Sequence, residues 1–233
     1  MLNDLVNRCS PLPSDATLCI LGAGFSGGHL AKLSKALGTR VISTRRRPKA
    51  GSDDLPFDST NGMVPSQDVL ASVTHLISTI PPTKEGTDPV LSCLGEQLQQ
   101  LPLQWVGYFS TTGVYGNSNG NWVDETNEPQ PTQLRSQKRL DCEQLWRNSG
   151  LPVQILRLPG IYGPGRSPLA AIRSGDLTPV DQPGQMFCRI HVDDLAGACW
   201  HLMHRAAAGP RTTATDFVLN RCVLRRCSCA TDY

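Results

Sequence analysis

The stretch Gly22-Ala23-Gly24-Phe25-Ser26-Gly27 limits what this chain can fold into more than any other. It follows a short apolar run, "TLCILG" at 17–22, that reads as a buried strand. It opens a segment with helical spacing at Phe25, Leu30, Leu33 and Leu37. A GxGxxG motif is weak alone, but between a strand and a helix it describes a dinucleotide-binding turn. The first glycine permits the tight turn, the second lets backbone approach a pyrophosphate, and the third lets helix and strand pack closely. The helix start offers unpaired N–H groups and a positive dipole end to the anion. Gly22, Gly24, Phe25, Ser26 and Gly27 are therefore expected cofactor contacts. A glycine-rich turn without function fits this context poorly.

The rest of the chain repeats the alternation. Strands are expected at 39–44, 73–80, 104–110, 153–158 and 216–220, and helices at 88–100, 134–147 and 192–206. Asp88-Pro89 matches helix-initiation chemistry. Residues 46–65 are rich in Gly, Pro, Ser and Asp, and any strand there is weak. Strands alternating with helices favour an α/β fold with a parallel sheet covered on both faces.

Composition excludes several classes. Charged residues are 18% and the hydrophobic set 39%, a soluble globular balance. A net charge of +2 argues against a nucleic-acid partner. No run of about 18 apolar residues offers a membrane span, and the first residues do not resemble a secretory signal. Of nine cysteines, Cys19, Cys93, Cys142, Cys188 and Cys199 stand singly in apolar or helical contexts, as expected for reduced thiols in a cytoplasmic protein. Cys222, Cys227 and Cys229 lack a CxxC pair and a fourth ligand, so no metal site is expected.

The second strand bears on the cofactor. NAD binders usually place an acid about 20 residues past the fingerprint, on the ribose 2′-hydroxyl. Here the segment reads Ile42-Ser43-Thr44-Arg45-Arg46-Arg47, with no carboxylate before Asp53. Arginine forms charge-assisted bonds to a 2′-phosphate. NADP is the expected cofactor, held by Arg45 and Arg46, with NAD as the alternative. A solvated basic loop is the plainer alternative; position argues against it for Arg45, less so for Arg46 and Arg47.

Five segments occur in order: "LGAGFSGGHL", "STIPP", "YFSTTGVYG", "LRLPGIYGPGR" and "RIHVDDLA". Together they resemble the extended short-chain dehydrogenase/reductases, the NAD(P)-dependent epimerase/dehydratase group, and within it the atypical subgroup without the usual tyrosine–lysine pair. The resemblance covers about residues 17–220. It implies a Rossmann-type doubly wound sheet with a small C-terminal substrate lobe, and many members act on nucleotide sugars. The domain plan expected is a lead-in over 1–16, a Rossmann domain over 17–220 with lobe elements at about 160–190, and an irregular tail over 221–233 that leaves the lobe cut short. The resemblance implies that Thr79, Ile80 and Pro81 touch the cofactor, and that Pro159 and Ile161 border the nicotinamide. It puts Ser110 beside the cofactor and Thr111 where a hydroxyl bonds the substrate's reacting oxygen. Arg189, His191 and Asp193 match the segment closing the lobe, with His191 read as structural. Members often pair through helices that include 134–147, so a homodimer is expected.

The catalytic pair breaks the pattern. In the family it sits as Y-x-x-x-K, often with an acid four residues on. Counting back from Glu143 puts lysine's place at Arg139 and tyrosine's at Arg135, four apart on one helical face. Arginine has no acceptor and stays protonated in proteins, so Arg135 cannot act as a base. Arg139 can still bind ribose hydroxyls. Tyr108, Tyr115 and Tyr162 carry Thr112, Asn119 and Arg166 four residues on, and Tyr233 ends the chain, so none has a lysine partner. Thr111 and Tyr115 remain as hydroxyl donors, although packing at the strand end is the favoured reading for Tyr115. Thr111, Tyr115 and Arg139 are thus the candidate catalytic residues. Two functions stay open: an NADP-dependent oxidoreductase or epimerase acting on a nucleotide sugar or another small carbonyl or alcohol, and a binding module that reads NADP without chemistry.

Overall fold

The computed structural model describes residues 2–175, 188–206 and 215–218. Among them, seven parallel strands form one sheet: β1 (Thr17–Leu21), β2 (Arg40–Arg45), β3 (Leu55–Pro56), β4 (His75–Ser78), β5 (Trp105–Thr111), β6 (Val153–Leu158) and β9 (Thr215–Val218). Their spatial order is β3-β2-β1-β4-β5-β6-β9. The chain reverses direction across the sheet between β1 and β4, the switch point at which Rossmann-type sheets bind ligands. The expected fold class is thus what the chain adopts.

Alternate side chains of each strand feed opposite faces. Leu18 and Ile20 enter a core with α2 (Phe25–Ala36) and α7 (Val192–Ala206). Cys19 and Leu21 enter a second core with α3 (Gln67–Leu70), α4 (Pro89–Gln99) and α5 (Leu134–Arg147). Each fully buried leucine or isoleucine contributes roughly 1.5–3 kcal/mol over an exposed one, so the two cores together fix the strand register. The start of α4 is set by Asp88, whose carboxylate accepts from the Val90 and Leu91 N–H groups with proline in the first turn.

A separate parallel pair, β7 (Gly160–Tyr162) and β8 (Arg189–His191), brackets the short helix α6 (Pro168–Arg173), and β8 runs directly into α7. The lead-in over 1–16 contains a helix the sequence pattern did not suggest, α1 (Leu2–Arg8), whose Leu2, Leu5 and Val6 pack on the α2–α7 core. The weak strand within 46–65 is the two-residue β3, held only against β2. The cysteine trio at 222–229, the tail over 221–233, Tyr233 and part of the expected lobe lie outside the described residues.

Candidate cofactor and reaction site

The glycine turn lies at the carboxyl end of β1. Gly22 has φ +94°, and a Cβ there would lie 2.7 Å from Thr79 Oγ1 and 2.9 Å from Ile80 Cγ1. A Cβ on Gly27 would lie 2.6 Å from the Gly22 carbonyl, so this glycine lets α2 close on the turn. Neighbouring threonines brace the turn. Thr79 Oγ1 donates to the Gly22 carbonyl at 2.5 Å, and Thr44 Oγ1 accepts from the Gly22 N–H at 3.1 Å. Gly24 caps α2 without any side-chain hydrogen bond to its first N–H groups. A cleft of about 410 Å³ opens here, and Gly22, Gly24, Arg45, Arg46, Thr79, Ile80 and Pro81 line it as expected. Phe57, Asp58 and Ser59 line it too. Sequence reasoning missed these three because they follow the two-residue strand β3.

Arg45 ends β2 and is half-buried, whereas Arg46 and Arg47 are exposed at the cleft. Arg45 Nε donates to Asp54 Oδ2 at 2.5 Å, and Ser43 Oγ donates to Asp54 Oδ1 at 2.6 Å. Burial opposes the charge on Asp54, but the Ser43 hydroxyl and the Arg45 guanidinium outweigh it and hold the carboxyl below the usual carboxylate range. A carboxylate therefore does stand beside the end of β2. It arrives from the start of β3, outside the segment where sequence spacing looks for it.

Next to β4 in the sheet, β5 runs at its carboxyl end into a short 3-10 turn, Thr112–Tyr115. Thr111 is partly exposed, and its Oγ1 accepts from the Gly113 N–H at 3.1 Å, which leaves its hydroxyl hydrogen to donate. Ser110, expected beside the cofactor, is buried and its hydroxyl donates to Glu143 Oε1 at 2.5 Å. Tyr115 is 6% exposed, and its phenol oxygen accepts from Arg157 Nη1 at 2.8 Å. Both hydroxyls turn inward for one reason. Glu143 and Arg157 are sealed in the core, joined at 2.7 Å, and a buried pair draws in every polar neighbour that can satisfy it. This placement corrects the idea of Tyr115 as a hydroxyl offered to substrate: it packs at the strand end.

Of the two arginines at the expected pair positions in α5, Arg139 is half-buried and donates through Nη1 to the Phe109 carbonyl at 2.9 Å, with its guanidinium 5.7 Å from the centre of the Tyr108 ring. Arg135 is exposed, and its Nε donates to Gln133 at 2.8 Å. The side chain that α5 presses onto the Thr111 turn is Ser136: it is buried, and its Oγ is 2.8 Å from where a Cβ on Gly113 would stand. Helical spacing alone, anchored on Glu143, does not single it out.

The lobe segment meets the glycine helix. His29 Nδ1 donates to Asp193 Oδ1 at 3.0 Å, and the Asp193 N–H donates to His191 Nδ1 at 3.2 Å. The Arg166 guanidinium sits 5.5 Å from the centre of the Phe25 ring. Ser26 lies in the first turn of α2, partly buried. Pro159 is buried after β6, Ile161 packs on the α2–α7 core, and Arg189 crowds over Gly160. Among the described residues, no group of three or more His, Cys, Asp or Glu could hold a metal ion, and no helix is long and apolar enough to cross a membrane.

No protein-family model matches the chain. A conserved protein of Silicibacter pomeroyi of unknown function is 37% identical, with TM-score 0.74 over 87% of this chain and 72% of that one. A Methylobacillus flagellatus protein classed among the NAD-dependent epimerase/dehydratases is 30% identical, with TM-score 0.68 over 89% of this chain and 76% of that one. The chain belongs to the NAD-dependent epimerase/dehydratase family. Protein YeeZ of Escherichia coli K12 is 28% identical over 213 residues, 82% of this chain and 74% of that protein. MoeE5, solved with UDP-glucuronic acid and NAD, shares the fold at 23% identity and TM-score 0.70, over 88% of this chain and 76% of that one.

Proposed function

We propose that this protein is an NADP-dependent oxidoreductase or epimerase of the atypical extended class, acting on a nucleotide sugar or another small carbonyl or alcohol. The observation that carries the cofactor half is Arg45, ending β2 in the same cleft as the uncapped glycine turn. The residues fit the cofactor: Gly22 and Gly27 leave no room for side chains, and α2 offers its first N–H groups unspent. Bound NADP would supply the hydride acceptor at the nicotinamide, and NAD is the alternative.

The chain's own residues supply less than the family pattern does. The Thr111 hydroxyl donates to the substrate oxygen while the Gly113 N–H holds its Oγ1 in place. Arg139, one of whose Nη groups is tied to β5, turns the rest of its guanidinium to ribose hydroxyls. Neither Arg135 nor Arg139 accepts a proton, so proton exchange would run through water. The substrate class is supported by the family and by the sugar nucleotide bound to MoeE5, which is alike in fold. In this reading residues 17–220 form one Rossmann unit with its lobe, and the protein works in the cytoplasm, as a homodimer through α5.

A second reading, an NADP-sensing module without turnover, is favoured by one observation: among the described residues no tyrosine carries a lysine four residues on. Turnover separates the two. Incubation of carbonyl and sugar-nucleotide substrates with NADPH should give an absorbance change that Thr111→Ala abolishes; silence across the panel selects the sensor. Activity created only by combining Arg135→Tyr with Arg139→Lys would select it as well.

A further inference from the structure

We infer that Asp54 is a positioning residue for cofactor preference: it holds Arg45 in the one orientation that meets a 2′-phosphate. The inference rests on the NADP reading above.

The geometry is that of a clamp. Asp54 Oδ2 takes the Arg45 Nε–H at 2.5 Å, and Oδ1 takes the hydroxyl of Ser43, a buried residue two positions back on β2. Backbone pairing fixes the spacing, since Thr44 is opposite Leu55 and Arg45 opposite Pro56, leaving Asp54 beside Ser43. The Asp54 side chain is 13% exposed and that of Arg45 29%. Arg45 lines the cleft and Asp54 does not, so the carboxylate stands behind the guanidinium. With Nε bound, the Nη groups are the donors left for an anion, and a guanidinium binds phosphate through such paired donors. Arg45 Nη2 reaches over Gly28, 3.5 Å from where a Cβ would stand, so the missing side chain leaves it room at the start of α2. An arginine already held in its bound rotamer loses less entropy on binding than a free surface one. Asp54 also offsets part of the positive charge of Arg45, so orientation and screening predict opposite effects when the carboxylate is removed.

The experiment is calorimetric titration of the full chain with NADP and with NAD, for the wild type, Asp54→Ala, Asp54→Asn and Ser43→Ala, with thermal unfolding of each. In Asp54→Ala, NADP should bind about tenfold more weakly, as expected for losing one charge-assisted bond's ordering, while NAD stays within about twofold. Asp54→Asn keeps an oxygen facing Nε and should stay within about threefold of the wild type for NADP. Ser43→Ala frees one edge of the carboxylate and should cost about threefold, again for NADP alone. Tighter NADP binding in Asp54→Ala means screening and overturns the proposal, as does an equal loss for both cofactors or no change. If Asp54→Ala does not fold, an unselective Ser43→Ala overturns it instead. A wild type that prefers NAD defeats the NADP reading itself, which is distinct from a variant series that fails on an NADP-preferring protein.

Discussion

The glycine turn after β1 and the turn after β5 are assembled from different materials. At the glycine turn, the proposed adenine end, the groups offered to a ligand are backbone N–H groups, glycines whose missing side chains make the space, and an arginine braced from behind. At the turn after β5, the proposed reaction end, the hydroxyls of Ser110 and Tyr115 are turned into a buried ion pair, and in the register proposed for α5 arginines stand in place of the proton shuttle. In the proposed reading the first end is organised around a ligand, the second largely around its own stability. Substitutions should therefore read out in affinity at one end and in folding at the other.

The largest effect is expected from Glu143→Gln. It removes the buried negative charge that binds both Arg157, 2% exposed, and Arg147, and breaking a buried pair from one side costs about 3–5 kcal/mol. Urea unfolding should show that loss, and Glu143→Gln with Arg157→Met should recover much of it because the most deeply buried charge goes with its partner. If Glu143→Gln is as stable as the wild type, the reaction end is not held by this pair.

The mirror-image change is Gly27→Val. Its Cβ would meet the Gly22 carbonyl at 2.6 Å, and that partner is backbone, so the turn itself must open. NADP affinity should fall by more than about 100-fold, roughly 2.7 kcal/mol, with a smaller proportional effect on stability than Glu143→Gln. Unchanged binding would sink the assignment of the turn. Arg45→Asp comes next: preference should swing from NADP to NAD, by about tenfold or more in the ratio of dissociation constants. An unmoved ratio would detach Arg45 from the 2′-phosphate.

How far the sequence shows each end follows from the same contrast. The glycine turn is legible because its chemistry lies in six consecutive residues and in backbone geometry that glycine alone allows. Arg45 is legible for the same reason, being the last residue of β2. Asp54 is hidden: its strand pairs over two residues inside a segment rich in glycine, proline and serine, so no period reveals which face it takes. At the reaction end little is contiguous. Arg157 lies within the run "VQILRL", where an arginine reads as an outward-facing interruption. It is instead one of the largest fully buried side chains, 14 residues from the glutamate that makes this tolerable. The register anchored on Glu143 finds Arg135 and Arg139 in α5 but does not show that Ser136 meets the Thr111 turn. That depends on how the helix is rotated against β5, which packing decides.

The smallest effect separates the fold from both ends. His75 begins β4, the central strand, at the end away from the glycine turn, and is fully buried. Burial, aided by the nearby His204, pushes its pKa down from 6.5 to about 4. Between those values the unfolded chain takes up a proton that the native chain refuses, so stability is complete above pH 6.5 and falls as the pH drops towards 4. From pH 6.5 to 5.5 the loss should be about 1 kcal/mol, visible in urea unfolding and absent in His75→Phe. NADP affinity measured over the same interval, corrected for titration of the phosphate itself, should stay flat, because His75 touches neither end. A parallel decline in affinity would mean that the amino-terminal end of β4 and the cleft are coupled, and the division between a ligand-built end and a stability-built end would have to be redrawn.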